Sequence, residues 1–133
     1  MTDRYRREIE ALHEFFVDWY QSRDPDGGIE RLDTVLAPEF EMISPDGDRV
    51  ERDRVIEGVR QARGQYADGK FDIDIRHVDV IAEPPEHALV RYEEWQTTAD
   101  GQTGRLSTVL FRDAPDTPNG LEWVDLQETW LER

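Results

Sequence analysis

The stretch Phe71-Asp72-Ile73-Asp74-Ile75-Arg76-His77-Val78-Asp79-Val80 decides how this chain is read. Phe71, Ile73 and Ile75 alternate with Asp72 and Asp74, the two-residue period of a strand with one covered face. The apolar parity then slips by one, to Val78 and Val80. A strand cannot change parity without turning over, so an extra residue is expected at Arg76-His77, as a bulge that bends the sheet. Upstream of this stretch the apolar period is mainly helical. Downstream it stays strand-like.

On the upstream side, Tyr5, Ile9, Leu12, Phe16 and Trp19 or Tyr20 recur at three- and four-residue steps, predicting an amphipathic helix over 4–23. Its second half, Phe15 to Tyr20, is apolar almost all round and must be covered on more than one side. Asp24-Pro25-Asp26-Gly27-Gly28 stops it. Ile29, Leu32, Val35 and Leu36 predict a short second helix ending near Pro38, and Phe40, Met42 and Ile43 a short strand. Ser44-Pro45-Asp46-Gly47-Asp48 is a turn, with Pro45 presetting φ and Gly47 in the left-handed position. A third helix runs from Asp53 to about Arg63. On the downstream side, strands are expected at His87–Thr98, Arg105–Arg112 and Leu121–Leu131, separated by turns at 83–86 and 99–101 and a loop at 113–120. The expected class is α+β: a cone-like bent antiparallel sheet with three N-terminal helices packed on its concave face and a pocket between them. A length of 133 residues predicts one domain over 1–133.

Charge narrows the setting. Sixteen basic against 31 acidic residues give a net charge of −15, which excludes phosphate-backbone binding as a main activity and disfavours anionic membranes. No nucleic-acid or membrane partner is expected. With no cysteine there is no disulfide framework, thiolate nucleophile or cysteine zinc site. No secretion signal or long apolar run is present, and a cytoplasmic protein is expected. Four Trp, five Phe and four Tyr among periodic apolar residues argue for a folded core under an acidic skin. Lys70 is the sole lysine. Such a surface is similar to that of proteins from halophilic archaea, and it predicts stability that rises towards molar salt, where charge repulsion is screened.

The order of these elements resembles the SnoaL-like branch of the nuclear transport factor 2-like superfamily, over about residues 7–131. The resemblance is carried by Trp19-Tyr20-Gln21-Ser22-Arg23-Asp24 and then Leu32-Asp33-Thr34-Val35-Leu36-Ala37-Pro38-Glu39-Phe40. It continues through Ile43-Ser44-Pro45-Asp46-Gly47, Gly104-Arg105 before Val109-Leu110-Phe111-Arg112, and Trp123-Val124-Asp125-Leu126-Gln127-Glu128-Thr129. It implies a cone with an internal cavity, and frequent homodimers through the outer sheet face. Ketosteroid isomerase-like members place a carboxylate base just before the Pro-x-Gly turn and a tyrosine on the first helix. Those positions fall on Ser44 and near Phe16, which lack the needed groups, although Tyr20 lies one turn on. Polyketide-cyclase-like members use an Asp and polar partners in the cavity, without a cofactor.

The candidate ligand-binding residues are Phe16, Trp19, Tyr20, Phe40, Met42, Tyr92, Glu94, Arg105, Trp123 and Gln127. The aromatic ones would line an apolar cavity, and Arg105 would hold a carboxylate or pair with an acid on a neighbouring strand. Glu94 and Asp125 are the catalytic candidates. A buried Glu94 would have its pKa raised, whereas an exposed one would pair with Arg91 or Arg105. Strict alternation puts Trp123, Asp125, Gln127 and Thr129 on one face of the last strand, and Val124, Leu126, Glu128 and Trp130 on the other. The second face reads as too apolar to stay wet, hence a homodimer surface. His13 reads as an ordinary helix residue, and His77 with Asp79 is too little for a metal site. No cofactor and no metal are expected. The leading function is binding of a small apolar molecule in the cone, with cofactor-independent cyclase- or isomerase-like catalysis as an extension. The alternative is a non-catalytic dimeric interaction domain whose cone is packed core. A cavity of about 300 Å³ or more with two convergent polar groups separates the two.

Overall fold

The computed structural model describes residues 2–23 and 28–132. Helix α1 spans Thr2–Tyr20, α2 Glu30–Val35 and α3 Arg52–Gln61. The strands are β1 Leu36–Ile43, β2 Arg49–Glu51, β3 Phe71–Ala82, β4 His87–Thr98, β5 Gly101–Asp113 and β6 Leu121–Glu132. The expected stop at Asp24–Gly28 lies, up to Gly27, outside the described residues. All six strands form one open sheet in the order β2-β1-β6-β5-β4-β3, with the helices on one face. The class is α+β, as the periodicities predict. One pairing departs from a purely antiparallel sheet: β1 runs parallel to β6.

The bulge in β3 sits where the parity slips. Between the pairs Arg76↔Glu93 and Asp79↔Arg91, β3 spends one residue more than β4, and His77 takes φ 56° there. A second bulge was hidden. Leu110 faces Asp125 while Phe111 faces Trp123, so Val124 is the extra residue in β6. Trp123 therefore points inward, and after Val124 the inward positions are Leu126, Glu128 and Trp130. That reverses the expected faces from Asp125 onward.

Strand β1 begins at Leu36, earlier than predicted, and contains Pro38. Proline cannot donate to a ladder; Pro38 falls in the irregular stretch between Leu36 and Glu41, where the pairing to β6 is interrupted. The turn at 44–48 closes with Gly47 N–H donating to Ser44 O and Gly47 at φ 90°.

The apolar-all-round end of α1 is covered from two sides. Trp19 Nε1 donates to Val59 O of α3 at 2.6 Å, and Trp19 stacks on Phe15. Beyond α3, Gly64 N–H and Tyr66 N–H donate to Trp19 O and Tyr20 O. The core between α1 and the sheet holds Ile9, Leu12, Val90, Tyr92, Val109, Phe111 and Trp123, all nearly or fully buried. Among the described residues, no helix is long and apolar enough to cross a membrane.

Candidate functional site

Between the helices and the concave sheet face lies a cavity of about 170 Å³. Its apolar wall comes from Leu12 and Phe16 of α1, Leu32, Leu36, Phe40 and Met42 of α2 and β1, and Val55 and Val59 of α3. Ile73, Trp123 and Leu126 complete it. Polar groups enter from α1 (His13, Tyr20), β4 (Tyr92, Glu94, Gln96), β5 (Arg105) and β6 (Glu128). The volume is below the roughly 300 Å³ at which drug-sized pockets begin. It is close to the ~150 Å³ of an engineered cavity that holds benzene. Convergent polar groups are present, and the volume suits a molecule of about one ring.

His13 and Glu94 form a buried pair. Nε2 of His13 lies 3.1 Å from Glu94 Oε1, and Nδ1 lies 2.7 Å from Ile9 O. Both ring nitrogens face acceptors, which favours the imidazolium, with a proton on each. Burial opposes charge on His13, but the Glu94 carboxylate beside it outweighs burial and raises its pKa. Burial likewise works to raise the pKa of Glu94. The His13 charge and hydrogen bond, Arg105 and the 2.6 Å bond from Gln96 Nε2 overcome it and bring Glu94 down to about 2.

Glu128 has the opposite fate. Burial and the negative charge of Glu94 push it up to about 7, against the pull of Arg105 and His13. Its contacts are long: Arg105 Nη1 at 3.3 Å and the Ser107 hydroxyl at 3.4 Å. Arg105 also lies over the Trp130 ring, 4.8 Å from its centre. The cavity thus holds one carboxyl fixed as an anion and another poised to exchange a proton near neutrality, the separation of roles that acid–base chemistry requires. Burial lifts the Tyr20 hydroxyl to about 12 and Tyr92 well above its ordinary value, so both are neutral donors.

Of the ten residues singled out for ligand contact, eight line this cavity: Phe16, Tyr20, Phe40, Met42, Tyr92, Glu94, Arg105 and Trp123. Trp19 does not; it is spent on Val59 and Phe15. Gln127 and Asp125 do not either. The Val124 bulge turns them to the outer face, where both are exposed and Asp125 lies opposite Glu41 of β1. Leu126 and Trp130, read as part of a dimer surface, are turned inward by the same bulge. Trp130 there donates to Asp46 at 2.9 Å. Ser44, at the position of the isomerase base, accepts a hydrogen bond from Asp48 N–H in its own turn. Arg105 lies mid-strand and pairs with Glu128, the cross-strand acid alternative.

Three polar cavity groups escaped the sequence reading: His13, Gln96 and Glu128. His13, read as an ordinary helix residue on the surface or partly buried, is buried, and its place one turn after Ile9 and beside Leu12 on the apolar stripe is the signal that marks it. Glu128 was assigned to the wrong face by the unseen bulge. The carboxyl whose pKa is raised is Glu128, while that of Glu94 is lowered.

Residues 7–132 match the family described as sucrose-6-phosphate phosphohydrolase C-terminal. Among solved structures, the chain is similar to an NTF2-like protein of unknown function from Pseudomonas aeruginosa, at 29% identity over 96% of this chain and 98% of that one, with a TM-score of 0.86. It is also similar to an uncharacterised protein with a cystatin-like fold from Caulobacter vibrioides (16% identity, 98% and 89% covered, TM-score 0.68). A third similar structure is a CaMKII hub from S. rosetta (16%, 94% and 95% covered, TM-score 0.70). The last two establish the fold alone. The fold is the nuclear transport factor 2-like one.

Proposed function

The chain belongs to the sucrose-6-phosphate phosphohydrolase C-terminal family, and from that premise and the hollow beneath α1 we propose that it binds a small, largely apolar molecule and moves a proton on it. One observation carries this reading: a buried carboxyl, Glu128, held by only two long contacts beside Arg105 in a cavity with a largely apolar wall, where burial pushes its pKa up. The apolar wall would take the body of the ligand, and Tyr20, Tyr92 and Arg105 would face its polar atoms. Ionised Glu128 would accept a proton from carbon, while donors on Arg105 and Tyr92 would stabilise the negative charge that develops. This layout would supply cyclase- or isomerase-type chemistry from a wall other than the Ser44 turn, and it is the sense in which a nearer SnoaL-like kinship remains a proposal.

The test uses cyclohexanone in D₂O. The expected result is exchange of its α-hydrogens faster than in buffer, rising with pH through about 7 and lost in Glu128→Gln, with ligand-induced shifts at the Leu12, Val55 and Leu126 methyls. Exchange equal to buffer, or shifts confined to the outer sheet face, would remove the reading.

A second reading, self-association through the outer sheet face, is supported by Leu89 opposite Leu110, with Leu106 on the same face, all half-buried. Light scattering at molar salt showing a monomer would end it. A halophilic setting is supported by the net charge of −15 and the single lysine. It predicts a Tm that climbs between 0.1 and 2 M KCl; a flat Tm would count against it.

A further inference from the structure

Two cations and two carboxyls meet in the hollow, and they are unequally matched. His13 and Glu94 are a finished pair, with Gln96 on the second Glu94 oxygen. Arg105 is not finished. Its contact with Glu128 is 3.3 Å, longer than the ~2.7–2.9 Å of a good charge-assisted bond. Its buried Nε makes no hydrogen bond among the described residues, and the buried Tyr92 hydroxyl has only the Ser107 hydroxyl beside it. An unpaired guanidinium N–H and a phenol in one cavity call for a ligand that accepts hydrogen bonds.

Charge says which kind of acceptor. The titratable groups facing Glu128 are His13 and Tyr20 from α1, Tyr92 and Glu94 from β4, and Arg105 from β5. The tyrosines are neutral. When Glu128 holds its proton, His13 and Arg105 stand against Glu94 alone, and the cavity is one anion short. We propose that the hollow is a carboxylate site: a single-ring or short-chain monocarboxylate seats its carboxylate on Arg105 and Tyr92, with its apolar body against Leu12, Phe16 and Leu126. This rests on the binding half of the reading above and names a ligand class for it; a bound carboxylate keeps Glu128 protonated, so such a ligand is held and not deprotonated. The ligand carboxylate replaces Glu128 as the partner of Arg105, so binding takes up a proton at Glu128 and weakens as pH rises through neutrality. The acidic exterior opposes an approaching anion, and salt relieves that opposition.

The experiment is calorimetric titration of the full chain with benzoate, hexanoate, benzyl alcohol and benzylamine in 1 M KCl at pH 6 and pH 8. Benzoate is expected to bind at least tenfold more tightly than benzyl alcohol at pH 6 and about tenfold more weakly at pH 8, with proton uptake seen as a buffer-dependent heat. Glu128→Gln should keep benzoate binding and lose its pH dependence. Arg105→Gln should lose the preference for benzoate, and Arg105→Lys, which keeps the charge, serves if that variant does not fold. Benzyl alcohol or benzylamine binding as tightly as benzoate overturns the carboxylate class and leaves the small-molecule reading standing. No heat from any probe, together with no ketone exchange, overturns both.

Discussion

Glu8 and Glu128 are buried to nearly the same depth, 0% and 6% exposed, and the fold treats them in opposite ways. Glu8, on α1, is surrounded by donors: Asn119 Nδ2 at 3.0 Å and Arg31 Nη2 at 3.3 Å on one oxygen, Trp123 Nε1 at 2.8 Å on the other. These come from α2, the loop before β6, and β6 itself, so Glu8 fastens three separate parts of the chain to α1. Glu128 receives two long contacts from its neighbour strand and faces a cavity. A buried carboxyl whose acceptor sites are filled holds structure together. One left short of donors keeps its proton and is free to exchange it.

The largest expected effect follows from the saturated member. Glu8→Ala strands Arg31, Asn119 and the Trp123 indole without an acceptor and should cost about 3–5 kcal/mol, read as a lower urea midpoint. An unchanged midpoint would break the comparison at its first term. His13→Leu comes next. It removes the partner that keeps Glu94 ionised and makes Glu94 resemble Glu128. A loss of about 1–3 kcal/mol at pH 7 is expected, with the Glu94 carboxyl carbon titrating well above its wild-type position by NMR. If Glu94 stays ionised to low pH in that variant, His13 is not what separates the two carboxyls.

The smallest effect belongs to Glu128→Gln, which keeps the shape of the protonated carboxyl and should cost under about 1 kcal/mol at pH 5. Its pH dependence carries the information. Glu128 is raised from 4.5 to about 7, so the folded state favours the protonated form. The stability this gives is fully present below the unfolded pKa and is lost as pH rises through about 7. His13, also raised, contributes in the same direction. Urea denaturation of the wild type from pH 5 to 8 should therefore show falling stability, and the glutamine variant should keep only the His13 share of that fall. Equal slopes would mean that Glu128 is already ionised in the folded protein.

The fold was largely legible because its decisive irregularity is written in alternating residues. Around Arg76-His77 the neighbours are strictly apolar and acidic by turns, so one inserted residue shows. Around Val124 they are not. Trp123, Val124 and Leu126 are all apolar, and a slip among them leaves no mark except that Trp123 and Leu126, three apart, both need a covered face. That silence moved Gln127 and Asp125 into the predicted site and Glu128 out of it. Strand β2 was missed because Arg49-Val50-Glu51 offers one apolar side chain and no period to read. His13 and Glu8 lie on the stripe marked by Tyr5, Ile9 and Leu12, and burial could have been read there. Their partners could not: Glu94 is 81 residues from His13, and Trp123 is 115 from Glu8. Local pattern shows which side chains leave water, while the identity of the atoms that receive them is decided by strand register.

The place of β6 has a consequence for how the molecule is assembled. It lies between β1 and β5, parallel to the former and antiparallel to the latter, although it is the last strand in chain order. While a ribosome is still making the chain, β1 has only the three-residue β2 to lean on, and the β3–β5 meander has one flank bare. The keystone is delivered after the arch it must close, so the two flanks stay exposed to chaperones, and to each other's copies, until synthesis has passed Glu132.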